Sequence, residues 1–89
     1  MLRFRTTHQF ERDYRRILRR GNAENRIVTV MTKLISQERL EAKYKDHGLK
    51  GKYAGRRECR SEPDWFLIYK KTRDEIIFER TGTHSDLFD

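Results

Sequence analysis

Residues 65–69 read WFLIY, five apolar side chains in a row inside a chain of 89 residues with 39% charged side chains. A run this short and this apolar has no polar side to turn toward water, which is the pattern of a central β-strand. It needs partner strands, and the neighbouring sequence supplies them. Turn residues Ser61-Glu62-Pro63 precede it and Thr72-Arg73-Asp74 follow it, so three strands are expected at about 54–60, 64–71 and 75–80 in an antiparallel meander.

The first half of the chain has a different period. Leu2 and Phe4 alternate with Arg3 and Arg5, the pattern of an opening strand, and Thr6 and Thr7 with Gln9 form a helix-start signal. Phe10, Tyr14, Ile17 and Leu18 then recur at helical spacing, with Arg12, Arg15, Arg16 and Arg19 on the other sides, up to a stop at Gly21. Asn22 is expected to cap a second helix carrying Ile27, Val30, Met31, Leu34 and Ile35 as its apolar stripe, fading over residues 37–41. Residues 44–55, YKDHGLKGKYAG, read as a loop. The expected fold is one α+β domain over residues 1–89, a small antiparallel sheet with one face packed on two N-terminal helices.

Leu, Ile, Val and Phe number 7, 6, 2 and 5, just above the level at which a strongly charged chain stays unfolded, so the core is modest. No run of 18 apolar residues exists, which leaves no membrane span, and the N-terminus MLRFRTTHQF has no apolar stretch of a secretory signal; the cytoplasm is the expected compartment. Cys59 is the one cysteine, expected as a semi-buried strand residue, and excludes an intramolecular disulfide and a multi-cysteine zinc cage. Residues 1–35 hold nine Arg/Lys against three Asp/Glu, so the positive field belongs to the helices. Such a surface suits nucleic acid or an acidic protein.

His47, Arg60, Asp64, Arg80 and His84 crowd the C-terminal half. Cleaving RNA needs little more than these residue types: a base for the 2′-hydroxyl, an acid for the leaving 5′ oxygen, and arginine for the phosphate charge. That route requires no metal and no cofactor.

The stretches KDHGLKG (45–51), EPDWFLIYK (62–70) and FERTGTHSDLF (78–88), in that order, resemble the YafQ-type toxins of the RelE/ParE superfamily. The resemblance implies the compact sheet-and-helices fold of small microbial ribonucleases. It also implies a ribosome-dependent, metal-independent endoribonuclease of a bacterial type II toxin–antitoxin pair, cutting messenger RNA in the A site. Implied partners are the 70S ribosome, its messenger, and an antitoxin with an acidic C-terminal segment and a DNA-binding N-terminal part. Residue by residue, it places His47 on a catalytic histidine, Asp64 and Trp65 on an acidic-aromatic pair, Arg80 on the family arginine, His84 on the C-terminal histidine and Phe88 on the terminal aromatic. Trp65 and Phe88, with Lys50 and Lys52, are the expected substrate contacts. One position departs: five residues before the tryptophan the family has histidine and this chain has Arg60, which cannot act as a general base and is read as a phosphate ligand. His84 is then the expected acid and His47 or Asp64 the base, with the reverse order open. The competing functions are a non-enzymatic ParE-like gyrase inhibitor and an inactive RNA-binding module.

Overall fold

The computed structural model describes residues 1–88. Its elements run β1 (Arg3–Thr6), α1 (His8–Arg19), α2 (Glu24–Ile35), β2 (His47–Gly48), β3 (Arg57–Glu62), β4 (Trp65–Lys71), β5 (Glu75–Gly82) and α3 (His84–Phe88), with single 3₁₀ turns at Ala42–Tyr44 and Gly51–Tyr53. The strands form one sheet in the order β1-β5-β4-β3-β2, and β4 is its centre. The expected meander is there, its pairs antiparallel, while the opening strand joins parallel to β5 at the edge. β2 lies inside the stretch expected as loop; two residues are too few to show any period.

The first helix begins with a side-chain cap and the second begins without the one expected. Thr7 caps α1, its hydroxyl accepting from Phe10 N at 3.0 Å and donating to Glu79 O at 2.9 Å, which ties the helix start to β5. Thr6 instead donates to the Glu11 carboxylate at 2.6 Å. The residue at the N-cap of α2 is Ala23, which has no side chain able to cap, so Asn22 lies one position too early to serve.

The apolar strand divides its side chains between two cores. Trp65, Leu67 and Tyr69 join Cys59, Ile76 and Phe78 under Phe10 and Ile17 of α1 and Ile27, Val30 and Leu34 of α2. Phe66 and Ile68 point the other way, onto Leu87 of α3, with Leu49 and Tyr53 packed alongside. The sheet is thus covered on both faces, whereas the sequence pattern accounts for one. Cys59 is fully buried rather than semi-buried, and burial pushes its thiol up, which makes it an inert packing residue. Among the described residues no helix is long and apolar enough to cross a membrane.

Candidate active site

The face that carries Phe66 and Ile68 also carries most of the residues expected for the chemistry. Register places His47 beside Glu58, Glu58 beside Ile68, and Ile68 beside Arg80, so three charged or titratable side chains line one row across four strands. In the adjacent row Arg60 stands beside Phe66. Its guanidinium carbon lies 4.8 Å from the Phe66 ring centroid, and its Nε is buried with no hydrogen-bond partner among the described residues. His84 stands over this row, its ring 5.9 Å from Phe66 and 5.1 Å from Phe88.

Glu58 is the member that sequence reasoning missed. It is 4% exposed, and burial raises its carboxyl above the usual range, opposed by His47, Arg60 and His84. The neighbours that oppose the shift are themselves three of the expected site residues, so Glu58 stands at their common centre. Its Oε1 lies 3.5 Å from His47 Nε2. The other ring nitrogen of His47, Nδ1, is 2.7 Å from the Lys45 carbonyl oxygen, which can only accept, so Nδ1 carries its hydrogen. Nε2, the nitrogen that faces the carboxylate, is then the one left to exchange a proton.

The two ends of the site are held from behind. Asp64 Oδ1 accepts from the backbone N–H of His84 at 3.0 Å, which seats the first residue of α3. Thr83 and Asp86 form a reciprocal cap: Asp86 Oδ2 accepts from Thr83 N at 2.9 Å and Thr83 Oγ1 accepts from Asp86 N at 3.1 Å. Asp86 in turn takes a fork of hydrogen bonds from Arg20 at 2.7 and 3.1 Å, and these donors hold its carboxyl well below the usual carboxylate range. Arg80 is paired with Asp13 of α1 at 2.8 Å, and that bond, outweighing desolvation, raises its already high pKa further.

Of the expected substrate contacts, Lys50, Lys52 and Phe88 come together with Leu49, Tyr53 and Leu87 around a shallow pocket of about 290 Å³, with Phe88 packed on His84. Phe88 keeps 38% of its surface exposed. Trp65 does not join them. It is 0% exposed in the helix-side core, and its indole N–H donates to Thr81 Oγ1 at 2.9 Å, so it offers no ring face for a base to stack on. The reason is alternation: Trp65 falls on the same face as Leu67 and Tyr69, away from Arg60 and His84.

Comparison with known proteins identifies the family. The family model described as "Bacterial toxin of type II toxin-antitoxin system, YafQ" matches residues 2–89. The chain belongs to the YafQ toxin family. It is similar to the mRNA interferase toxin YafQ of Escherichia coli K12, 44% identical over 81 residues that cover 90% of this chain and 88% of that one. The YafQ family fold is the fold seen here: the crystal structure of YafQ from Escherichia coli BL21(DE3) superposes with a TM-score of 0.95 at 39% identity, covering 100% of both chains. YafQ in the crystallised Escherichia coli DinJ-YafQ toxin-antitoxin complex gives a TM-score of 0.91 at 41% identity, again over 100% of both.

Proposed function

We propose that this YafQ-family chain is a toxin that cleaves messenger RNA by attack of a 2′-hydroxyl on the adjacent phosphate. The observation that carries the reading is the single sheet face on which His47, Glu58, Arg60, Arg80 and His84 meet. His47 Nε2, unprotonated and beside the Glu58 carboxylate, takes the proton of the 2′-hydroxyl, and Glu58 stabilises the imidazolium that forms. Arg80 in the row of His47 and Glu58, and Arg60 in the next, neutralise the charge that builds on the phosphate oxygens. His84, over the phosphate-side row and seated by Asp64, gives a proton to the departing 5′ oxygen. In this scheme Asp64 positions the acid and is not the base. The 2′,3′-cyclic phosphate and a 5′-hydroxyl are the products.

The ribosome supplies the substrate's alignment. Arg12, Arg15 and Arg19 are exposed on α1, where a polyanion can displace solvent from them, and ribosomal RNA is the polyanion of this reading. The partner that silences the toxin is a cognate antitoxin, with an acidic segment matched to the +7 charge of the chain. A mainly apolar groove of about 270 Å³ between Phe4, Phe10, Tyr14, Val28, Met31 and Ile35, with Glu11 in its lining, offers it a second hold. Both activities belong to the cytoplasm, where ribosomes are.

The test uses ribosomes programmed with a defined message, in a matched pair differing by a single 2′-deoxy nucleotide at the scissile position. The ribo message is cut to a cyclic phosphate end and the deoxy message stays whole. Equal cleavage of both, or intact messages in induced cells whose chromosomes break instead, overturns the proposal.

A further inference from the structure

One buried charge has no part in the chemistry above. Asp13 sits at a core-facing position of α1 between Phe10 and Ile17 and is 1% exposed. Its two carboxylate oxygens accept five hydrogen bonds. Oδ2 takes Arg80 Nε at 2.8 Å and the backbone N–H of Thr81 at 3.2 Å. Oδ1 takes Gln9 Nε2 at 3.0 Å, Arg16 Nη2 at 3.3 Å and Arg80 Nη2 at 3.4 Å. Each of the five is a donor, so the pocket is shaped for a group that only accepts.

Packing does not call for a carboxylate here. The same stripe holds phenylalanine and isoleucine, and an apolar side chain at a buried ion-pair position is commonly as stable as the pair or more so. What the carboxylate does uniquely is orient Arg80. A free arginine side chain spreads over many rotamers and gives up entropy when fixed. Asp13 meets the guanidinium along its Nε–Nη2 edge, Tyr53 interacts with the same side chain, and register sets Arg80 in the row that contains Glu58 and His47. The Thr81 N–H, one residue along β5, anchors the same carboxylate to the strand that carries Arg80, so helix and strand fix one another.

We propose that Asp13 is a positioning residue for RNA cleavage, acting through Arg80 by fixing the guanidinium edge offered to the scissile phosphate. The inference rests on the nuclease reading of the site. It assigns α1 a task beyond covering the core, since the helix whose outer face is basic also sets the aim of an arginine on the opposite side of the sheet.

The experiment is a kinetic double-mutant cycle on programmed ribosomes, with Asp13→Asn, Arg80→Lys and the double variant, each checked by urea unfolding for its folded fraction. Asp13→Asn slows the single-turnover chemical step about 10- to 100-fold, as a misplacement near 1 Å does, and changes the half-saturating ribosome concentration less than about twofold. In the Arg80→Lys background the same change costs less than about twofold, because a lysine ammonium has no fork to aim. Equal rate losses in both backgrounds, or losses that track the folded fraction, overturn the inference while leaving the nuclease reading intact. A parent that does not cleave sinks that reading instead. Should Asp13→Asn not fold, the Arg80 Nε–H resonance of the parent decides: a rigid, slowly exchanging signal supports the inference, and a mobile one overturns it.

Discussion

Replacing Gly82 with alanine tests whether the seat of His84 is as exacting as its geometry implies. Gly82 ends β5 with φ +154°, and a Cβ added there would lie 2.9 Å from Asp86 Cβ and Oδ2 and 3.3 Å from Asp86 Cγ. Asp86 Cβ is the stem of that side chain, so it cannot swing aside; α3 has to shift or Asp86 has to let go. The loss includes backbone strain of about 1 kcal/mol, the low end for a residue outside the common regions. Breaking the Thr83–Asp86 cap adds about 0.5–2 kcal/mol. A chain of this size is expected to have about 4–13 kcal/mol in total, so the variant stays folded and reports on α3. A shift of His84 on the order of 1 Å is enough to cost about 10²-fold in the chemical step. The assay pairs urea unfolding with single-turnover cleavage, and Gly21→Ala is the control, because Gly21 also has positive φ (+95°) but no described atom within 4 Å of an added Cβ. Equal destabilisation by the two substitutions, together with parental cleavage by Gly82→Ala, refutes the reasoning.

Glu58→Gln removes the carboxylate from the proposed base pair, and single-turnover cleavage is expected to fall about 10²- to 10⁴-fold. Because burial raises the Glu58 carboxyl in the folded state, the parent's ionised Glu58 detracts from stability as pH rises through that value; melts across about pH 4–8 should therefore move in the variant's favour with increasing pH. Asp86 has the opposite sign: its depressed carboxyl contributes stability above the ordinary carboxylate range and loses it as pH falls, so Asp86→Asn is less stable than the parent near neutrality and the gap closes toward strong acid in an acid-unfolding series. Arg12, Arg15 and Arg19 changed together to Glu, leaving Arg16 to its bonds with Asp13 and Asp86, should weaken ribosome binding and flatten its salt dependence. The log–log slope in a KCl binding series is expected to fall by about 0.7 for each phosphate no longer neutralised.

The helices and the meander were legible because each has a period: Phe10, Tyr14, Ile17 and Leu18 at helical spacing, and turns at either end of WFLIY. The same stripe held the signal for Asp13. An acid three residues after Phe10 and four before Ile17 stands where the period demands burial, yet arginines on both sides of it in the sequence make it look like one more solvated charge. Glu58 was hidden for a related reason. Alternation through Arg57-Glu58-Cys59-Arg60 puts Glu58 and Arg60 on one face, but a carboxylate beside two arginines reads as surface until β2 brings His47 across from it. Trp65 was ambiguous because a strand apolar on both sides does not declare which side meets the helices. Thr83-His84-Ser85-Asp86 carries a capping signal, and five residues are too few for the periodicity that would have turned it into a helix.

The parallel pairing of β1 with β5 has a consequence for when the protein becomes active. Arg3–Thr6 finds its sheet partner in Glu75–Phe78, so the first strand made waits for the last, and nearly the whole chain separates the two. Pairings of such long sequence separation form late and slowly. The helix that carries Phe10 and Ile17 likewise closes over β4 and β5 only after those strands exist. Any growing chain still short of residue 82 lacks the seat for the C-terminal histidine. Cutting therefore waits for β5 and α3 to be made, and the interval between their synthesis and sheet closure is the time in which a partner can capture the chain harmlessly.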